Sequence, residues 1–354
     1  MSSPIQVLPD SLITKIAAGE VVERPASVVK ELVENSLDSG ATEITVQMEQ
    51  GGRDSLFVAD NGSGMNAEDL RMAIQRHATS KIKKEEDLFQ IQTLGFRGEA
   101  LAAIASISFL RIESRKKGEE TGSFIELEGG KVVKEGKISI PIGTRIFIRQ
   151  LFFNTPARLK FLKNPETEGN HILDLIQSYA LISPKIAFHL KQNQKEEIEV
   201  RAGETFEERV CSLFGEQVSK SLLPYEGAVS QIKAAGFCSS PGLTSGTRRS
   251  LFFFVNGRLV KDRVLQHAVL SAYESLLMKG RFPWVILYLE IPYQYVDVNV
   301  HPTKAEVRFT NGSVVHDAVR GVIRKKLGSL NEGVGAALQH YVPNPSQPPL
   351  TSRG

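Results

Sequence analysis

The stretch PASVVKELVENSLDSG, residues 25–40, decides the fold of the first part of this chain. Its apolar residues recur every three or four positions, which is typical of a helix with one buried face. Pro25 suits the first helical turn, and Gly40 suits the position after the last turn. The opposite face carries four polar residues at positions i, i+3, i+4 and i+7, namely Glu31, Glu34, Asn35 and Asp38.

This polar stripe has two interpretations. A solvated helix face is the simpler one, and it is favoured on this stretch alone. The chemical interpretation is that the Asn35 oxygen binds Mg²⁺, which prefers oxygen ligands, while a nearby Glu acts as general base on a water molecule.

A glycine-bearing turn, DNGSGM at residues 60–65, directly follows a strand predicted at 56–59. Gly62 and Gly64 let the backbone approach a planar ring or a phosphate, and Asp60 could accept a hydrogen bond from an exocyclic amine. The string also fits the GxGxx(G/A) fingerprint of dinucleotide-binding enzymes. Against that reading, the preceding segments are predicted as helix, helix and strand rather than as a βαβ unit. A plain turn is a third possibility.

A second glycine-bearing string, GFRGEAL at residues 95–101, opens a predicted helix. Backbone N–H groups at a helix N-terminus bind phosphate, and no GxxxxGK[ST] string occurs in the sequence, which excludes a P-loop. Upstream, HATSKI at residues 77–82 supplies hydroxyls and a cation within residues 73–97, which lack clear periodicity. We expect a loop of this length to behave as a lid.

Two shorter strings are less informative by themselves. GTRIFI at residues 143–148 is a turn entering an alternating strand, with Thr144 as a small hydrogen-bonding group. NVHPTK at residues 299–304 is a Pro-containing loop that ends at Lys304. His301 in that loop is not expected to bind a metal, because no second His or Cys lies nearby in the sequence.

The composition is that of a globular protein, with 41% hydrophobic and 23% charged residues. It excludes a mostly disordered chain, a collagen-like chain and a disulfide scaffold. No run of 18 apolar residues predicts a membrane span, and the N-terminus lacks the features of a signal peptide. Cys211 and Cys238 predict two reduced core residues. We therefore expect a cytoplasmic protein.

Charge is distributed unevenly along the 354 residues. Residues 1–240 contain 29 Lys and Arg against 33 Asp and Glu, whereas residues 241–330 contain 13 against 6. A basic module can attract phosphate backbones, and a solubilising face is an equally good interpretation. The length favours two domains, with a boundary expected near residue 200. Residues 333–354 have linker composition, so we expect the chain to be a piece of a longer protein.

Hydrophobic periodicity predicts a mixture of helices and strands in both parts of the chain. Strands are expected at 44–48, 232–237, 251–255 and 285–291, and between residues 109 and 150. Helices are expected from residue 12, and at 100–107, 156–163, 167–182, 262–277 and 313–327.

Taken together, these strings resemble the MutL family of DNA mismatch-repair proteins. That family belongs to the superfamily of gyrase-type, Hsp90-type and histidine-kinase-type ATPases. The resemblance covers about residues 1–330 and is carried by six segments: 16–38, 60–65, 76–82, 95–101, 153–158 and 296–308. The more distant relatives would share only Asn35, the Asp60-x-Gly62-x-Gly64 string and Gly98.

The resemblance implies an α+β fold with two domains. The first, residues 1–200, would be a two-layer α/β sandwich of the Bergerat ATP-binding type, with an N-terminal arm and a lid at about 73–98. The second, residues 203–330, would be a smaller basic α/β domain that resembles domain 2 of ribosomal protein S5 and carries Lys304. Residues 333–354 would begin a Pro-rich linker.

The resemblance also implies roles for individual residues. Glu31 resembles the general base that activates water, and Asn35 resembles the Mg²⁺ ligand. Asp60 resembles the residue that reads the adenine amino group, and Lys304 resembles the lysine that reaches the γ-phosphate. The remaining nucleotide contacts would be the glycines and pocket floor, Gly62, Gly64 and Thr144, and the lid residues Thr79, Ser80, Lys81, Gly95, Phe96, Arg97 and Gly98.

The function implied is an ATPase switch in DNA mismatch repair. ATP with Mg²⁺ would close the lid and pair two chains into a homodimer, coupling mismatch recognition to strand processing. Expected partners are a MutS-type mismatch sensor, a downstream nuclease, helicase or sliding clamp, and single- or double-stranded DNA bound without sequence preference. Arg258, Lys261 and Arg263 are the predicted DNA contacts, and Arg263 matches a basic position associated with DNA in the family. A DNA-associated bacterial protein with no membrane partner is expected.

Three rival functions remain open at this point. One is another ATPase of the same superfamily, a topoisomerase or a chaperone, against which the strings 154–158 and 299–304 argue. A second is a non-catalytic DNA-binding scaffold, against which the presence of both Glu31 and Lys304 argues. The third is a dinucleotide enzyme that uses Gly62 and Gly64. No string of the DQHAxxExxxxE type occurs, so we expect no nuclease activity from these residues.

Overall fold

The computed structural model describes residues 18–19, 21–79, 98–297 and 307–329. Several predictions fall outside the described residues: the first helix from residue 12, the lid residues Ser80, Lys81, Gly95, Phe96 and Arg97, the loop residue Lys304, and the linker 333–354. The chain divides into two compact units, Met1–Gln177 with Lys185–Gly203, and Ser178–Pro184 with Glu204–Gly354.

The first unit is built on an eight-stranded sheet. In chain order its elements are α1 (Pro25–Asp38), β1 (Glu43–Glu49), β2 (Ser55–Asp60), α2 (Ala67–Ala73), α3 (Ala100–Ser106), β3 (Phe109–Arg115), β4 (Gly122–Glu128), β5 (Lys131–Ile138), β6 (Gly143–Arg149), α4 (Pro156–Phe161), α5 (Pro165–Ile182), β7 (Ala187–Gln192) and β8 (Lys195–Val200). The last residues of α5, 178–182, belong to the second unit. The strand order is β5-β4-β3-β6-β2-β1-β7-β8. Only the β1–β7 pair is parallel among these neighbours.

The helix predicted from residues 25–40 is confirmed as α1. Its apolar face is buried, and Val28, Val29 and Val33 are almost without solvent contact. Gly40 follows the helix with φ of +75°, a conformation that glycine adopts without the steric cost of a Cβ. The alternation predicted for 44–48 is also confirmed, since every second residue of β1 is buried. The apolar face of α1 therefore packs on one face of the sheet.

The second unit contains a five-stranded sheet with two long helices. Its elements are α6 (Phe206–Phe214), α7 (Glu216–Ser221), β9 (Leu222–Val229), β10 (Ile232–Ser239), β11 (Thr244–Ser245), β12 (Leu251–Val255), β13 (Arg258–Val260), α8 (Arg263–Ala272), β14 (Phe282–Pro283), β15 (Val285–Glu290), β16 (Val296–Asp297), β17 (Arg308–Phe309) and α9 (Gly312–Gly328). The main strand order is β13-β12-β15-β10-β9. Helices α8 and α9 pack on each other and share one core with this sheet.

Three expectations are corrected in this unit. The helix predicted at 262–277 ends at Ala272, and Leu276, an apolar residue that extended its pattern, is exposed. Buried Tyr273 ends it, and its hydroxyl donates a hydrogen bond to the Ser239 carbonyl. Strand β9 and helices α6 and α7 were not predicted from the periodicity. Cys238 is buried as expected, whereas Cys211 is exposed.

No helix within the described ranges is both long enough and apolar enough to cross a bilayer.

Candidate functional site

The polar stripe of α1 is not a solvated face. Glu34 is buried, and Glu31, Asn35 and Asp38 are each only partly accessible. Lys30 Nζ lies 2.8 Å from Glu34 Oε1 and 3.9 Å from Glu31 Oε1. The simpler interpretation of this stretch is therefore wrong, because the helix holds an ion pair in a low-dielectric position beside Glu31.

Asp60 stands at the end of β2, beside α1. Its Oδ2 accepts a hydrogen bond of 2.9 Å from the Ser36 hydroxyl, and its Oδ1 accepts one of 2.9 Å from the Gly62 backbone N–H. Burial raises the pKa of the Asp60 carboxyl above its ordinary value, and the bonds from Gly62, Ser36 and Thr144 oppose that shift. The carboxylate is thus desolvated but oriented, with capacity to accept from a further donor.

The turn after Asp60 requires its glycines. Gly64 has φ of +66°, and a Cβ there would lie 2.0 Å from the Arg115 carbonyl oxygen. A Cβ on Gly62 would lie 1.9 Å from Ser39 Oγ. The turn is also held to the end of α1, because the Ser63 N–H donates to the Ser39 carbonyl. Close backbone packing explains both glycines at this position.

Thr144 joins the same cluster from β6. It is paired with Asp60 across the β2–β6 register and is nearly buried. Its hydroxyl lies 3.0 Å from Ser114 Oγ, which also accepts a hydrogen bond of 2.8 Å from the Met65 N–H. Ser36 and Ser114 are site residues that the sequence analysis missed. The available signal was their position on buried faces of α1 and β3, where a polar residue needs a partner.

The described ends of the predicted lid approach each other. Gly98 has φ of +62°, and a Cβ there would lie 2.4 Å from the Ala78 carbonyl oxygen. His77 Nδ1 lies 3.3 Å from Glu99 Oε1. Thr79, a predicted phosphate contact, is exposed. Residues 77–78 and 98–99 therefore lie side by side.

The string at 154–158 has structural contacts of its own. Asn154 Nδ2 donates a hydrogen bond of 2.8 Å to the Ser106 carbonyl at the end of α3. The Arg158 guanidinium lies against Gly19, and a Cβ on Gly19 would be 1.5 Å from Arg158 Nη2. Gly19 thus has no room for a side chain beside Arg158.

The three predicted DNA contacts lie at the start of α8. Arg258 begins β13 and is partly buried, whereas Lys261 and Arg263 are exposed. Between them, Asp262 caps α8 by accepting a hydrogen bond of 2.8 Å from the Leu265 N–H. Two exposed cations therefore flank one helix N-terminus, where phosphate is also favoured by the backbone N–H groups.

The raised pKa of Asp60 gives the first prediction. Folded Asp60 holds its proton more tightly than the unfolded chain does, so its contribution to stability falls as pH rises between the ordinary Asp value and the raised one. The free energy of unfolding of wild type, relative to Asp60→Asn, should therefore decrease as pH rises above about 4, the ordinary Asp value. Urea unfolding followed by circular dichroism measures it.

Asp69→Asn is the matched control for this pH dependence. Asp69 is exposed, and its hydrogen bond from Lys116 lowers its pKa. Its contribution to stability is present above the unfolded pKa and is lost as pH falls, so the difference from wild type should run in the opposite direction. The same pH dependence for both variants would contradict the assignment to Asp60.

Residues 23–149 match the family described as histidine kinase-, DNA gyrase B- and HSP90-like ATPase. Residues 210–328 match the family described as DNA mismatch repair protein, C-terminal domain. The chain is 46% identical over 92% of its length to the DNA mismatch repair protein MutL of Geobacter sulfurreducens, and 45% identical over 93% to that of Geotalea daltonii. It spans about half of these relatives, 54% and 55% respectively.

Solved structures give the same result. The chain superposes with a TM-score of 0.79 and 25% identity on the N-terminal domain of a DNA repair protein, covering 90% of this chain and 99% of that one. It superposes with a TM-score of 0.60 and 28% identity on the Aquifex aeolicus MutL ATPase domain complexed with ADP, covering 84% and 98%. These similarities confirm the predicted α+β ATPase fold.

Proposed function

The chain belongs to the MutL family of DNA mismatch-repair proteins and carries an ATPase domain of the gyrase, Hsp90 and histidine-kinase type, and from this premise we propose that it is a slow ATP-driven switch. In this proposal the first unit binds ATP with Mg²⁺ and hydrolyses it to ADP and phosphate. The observation that carries the proposal is the Asp60 carboxylate, held by Ser36 and Gly62 beside a turn that only glycines can form.

Asp60 would recognise the adenine amino group. The Asp60 carboxylate is partly buried and still has lone pairs that can accept a hydrogen bond. Its partner can therefore be a neutral N–H donor and need not be a cation. Thr144 and Ser114 would complete the polar floor of the same pocket, since their hydroxyls already form one connected chain of hydrogen bonds. Gly62 and Gly64 would keep the turn packed against Ser39 and Arg115 beside this pocket.

Glu31 and Asn35 would act at the phosphate end. They are four residues apart on α1, so their side chains share one face of the helix. Asn35 offers an amide oxygen of the kind that Mg²⁺ prefers. When bound, Mg²⁺ would neutralise charge on the phosphates. Glu31 would orient and deprotonate the attacking water.

Binding of ATP tests this site directly. Asp60→Asn removes one of the carboxylate lone-pair acceptors, and we expect the affinity for a non-hydrolysable ATP analogue to fall by about 10- to 100-fold. Calorimetric titration in Mg²⁺ is the measurement, with Asp69→Asn as an exposed-carboxylate control. Equal affinities for wild type and Asp60→Asn would sink the site. Binding of NAD with the same Asp60 dependence would favour the dinucleotide alternative.

The lid and Lys304 would make hydrolysis depend on conformation. We propose that ATP favours a closed arrangement in which the lid residues, the N-terminal arm and a second copy of the chain come together. ATP can drive this change only by its differential affinity for the two arrangements. Partners in the repair reaction would be a MutS-type mismatch sensor and a downstream nuclease, helicase or sliding clamp. A non-catalytic scaffold remains the alternative, and wild type that binds no ATP would favour it.

DNA binding without sequence preference is the second part of the proposal, supported by the basic residues at the start of α8. Replacing Arg258, Lys261 and Arg263 together by alanine should make the negative slope of log affinity against log salt shallower by about 2 to 3, since each phosphate contact contributes about −0.9. Fluorescence anisotropy over a salt series measures it. The triple variant of the exposed lysines Lys131, Lys134 and Lys137 on β5 removes the same charge and should keep the slope. An equal loss in both triples would contradict a local site.

A further inference from the structure

Two histidines meet across helices α8 and α9. His267 Nδ1 lies 3.0 Å from His316 Nε2, and the ring centroids are 5.0 Å apart. His316 Nδ1 in turn lies 2.9 Å from Asp317 Oδ1. His267 is exposed and His316 is partly buried, so the pair is open to solvent on one side.

The packing of the helices holds this pair in place. One turn earlier, Gly312 lies against Val264, and a Cβ on Gly312 would be 3.5 Å from the valine Cγ2. Beside the pair, Ala268 and Val315 are buried in the core of the second unit. The two imidazoles are therefore presented by rigid elements, not by loops, and little conformational entropy would be lost when a ligand binds both.

Asp317 determines which nitrogen of His316 has a lone pair. A carboxylate accepts only, so Nδ1 of His316 carries the proton and donates to Asp317. Nε2 then has its lone pair directed at His267. This is the arrangement by which carboxylates orient metal-binding histidines. His267 needs only the tautomer with its proton on Nε2 to direct a second lone pair, that of Nδ1, at the same point.

We propose that His267 and His316 form a binding site for a borderline divalent transition metal such as Zn²⁺ or Cu²⁺, oriented by Asp317 and completed by water. With metal–nitrogen bonds of about 2.0–2.1 Å, two imidazole nitrogens are about 2.9 Å apart at a right angle and about 3.3 Å apart at the tetrahedral angle. The 3.0 Å separation falls between these limits. The separation of the two nitrogens therefore need not change, and the ion would replace the hydrogen bond between the rings.

The chemistry of the pair distinguishes this site from the proposed Mg²⁺ position. Imidazole suits Zn²⁺ and Cu²⁺, whereas Mg²⁺ prefers oxygen. Within the described residues no group of three or more His, Cys, Asp and Glu side chains is arranged around a common point, and Asp317 lies on the far nitrogen of His316. Two protein ligands with open water positions predict modest affinity and a site that exchanges readily.

Titration of the whole chain with Zn²⁺ tests the site. We expect one equivalent whose affinity falls about tenfold or more in both His267→Ala and His316→Ala, and in Asp317→Asn by up to about tenfold. A tenfold excess of Mg²⁺ should not compete. His189→Ala is the matched control, because His189 Nε2 lies 3.6 Å from Glu43 Oε1 and, among the described residues, forms no hydrogen bond or ring contact with another histidine. Wild-type affinity in both pair variants would overturn the site.

A spectroscopic readout protects the test against misfolded variants. Cu²⁺ bound to wild type should show electron paramagnetic resonance couplings from two imidazole nitrogens. Each single histidine variant should show fewer, while circular dichroism stays unchanged. Couplings from one nitrogen or none in wild type would overturn the proposal, even if some Zn²⁺ binds elsewhere.

Discussion

Glu31→Gln is expected to slow ATP hydrolysis by about 100-fold or more and to leave ATP binding near its wild-type value. Glutamine keeps the size of the side chain and removes the group that accepts a proton from water. The neighbouring contacts favour Glu31 as the group that accepts this proton, because Lys30 lies 3.9 Å from Glu31 and forms its closer ion pair with Glu34. Steady-state phosphate release in Mg²⁺ measures the rate, and calorimetry with a non-hydrolysable analogue measures binding.

Glu128 provides a control for the Glu31→Gln experiment. Glu128→Gln, an exposed carboxylate at the end of β4, should hydrolyse ATP at the wild-type rate. Each sample is also sized with the analogue, and a dimer is expected for wild type and Glu31→Gln alike. Hydrolysis that persists in Glu31→Gln would assign the base to another group. Loss of both binding and hydrolysis would mean that Glu31 supports the pocket and not the chemical step.

Arg209→Met is expected to destabilise the second unit by about 3–5 kcal/mol. Arg209 is 1% exposed, and its Nε lies 2.7 Å from Glu204 Oε2. It also donates hydrogen bonds to the carbonyls of Ala180 at 3.3 Å and Pro184 at 3.0 Å. Burial lowers its pKa, and Glu204 opposes that shift. Methionine fills similar space but leaves a carboxylate and two carbonyls without their donor.

The chain provides a local probe and a matched control for this variant. Trp284, the single tryptophan, packs on Phe214 of the same helix, with ring centroids 5.0 Å apart. Its fluorescence during urea unfolding therefore reports on this region. Lys220→Met breaks an exposed pair with Glu216 and should cost less than about 1 kcal/mol. Adding Glu204→Gln to Arg209→Met should recover part of the loss. Equal urea midpoints for Arg209→Met and Lys220→Met would show that the buried contacts of Arg209 stabilise the unit no more than an exposed ion pair does.

Local patterns predicted much of the fold. The helix α1, the alternation of β1 and the glycine turn at 62–64 follow from spacing over a few residues, and each is present as predicted. Such patterns fail where burial depends on distant segments. The apolar residues after Ala272 continue the helical spacing, yet Leu276 is exposed because Tyr273 is bonded to Ser239 and ends the helix. No local rule predicts that contact, which joins residues 34 positions apart.

The sequence by itself determined the family, the helix that carries Glu31 and Asn35, and the glycines beside Asp60, because each is written in a short string with a defined spacing. Only the tertiary structure decided that the polar face of α1 is partly buried, that Ser36 and Gly62 hold Asp60, and that Ser114 meets Thr144. It alone brought His267 to His316, 49 positions away. The physical reason is common to all four: burial and hydrogen-bond partners are properties of packed surfaces, and the residues that form one surface come from separate parts of the chain.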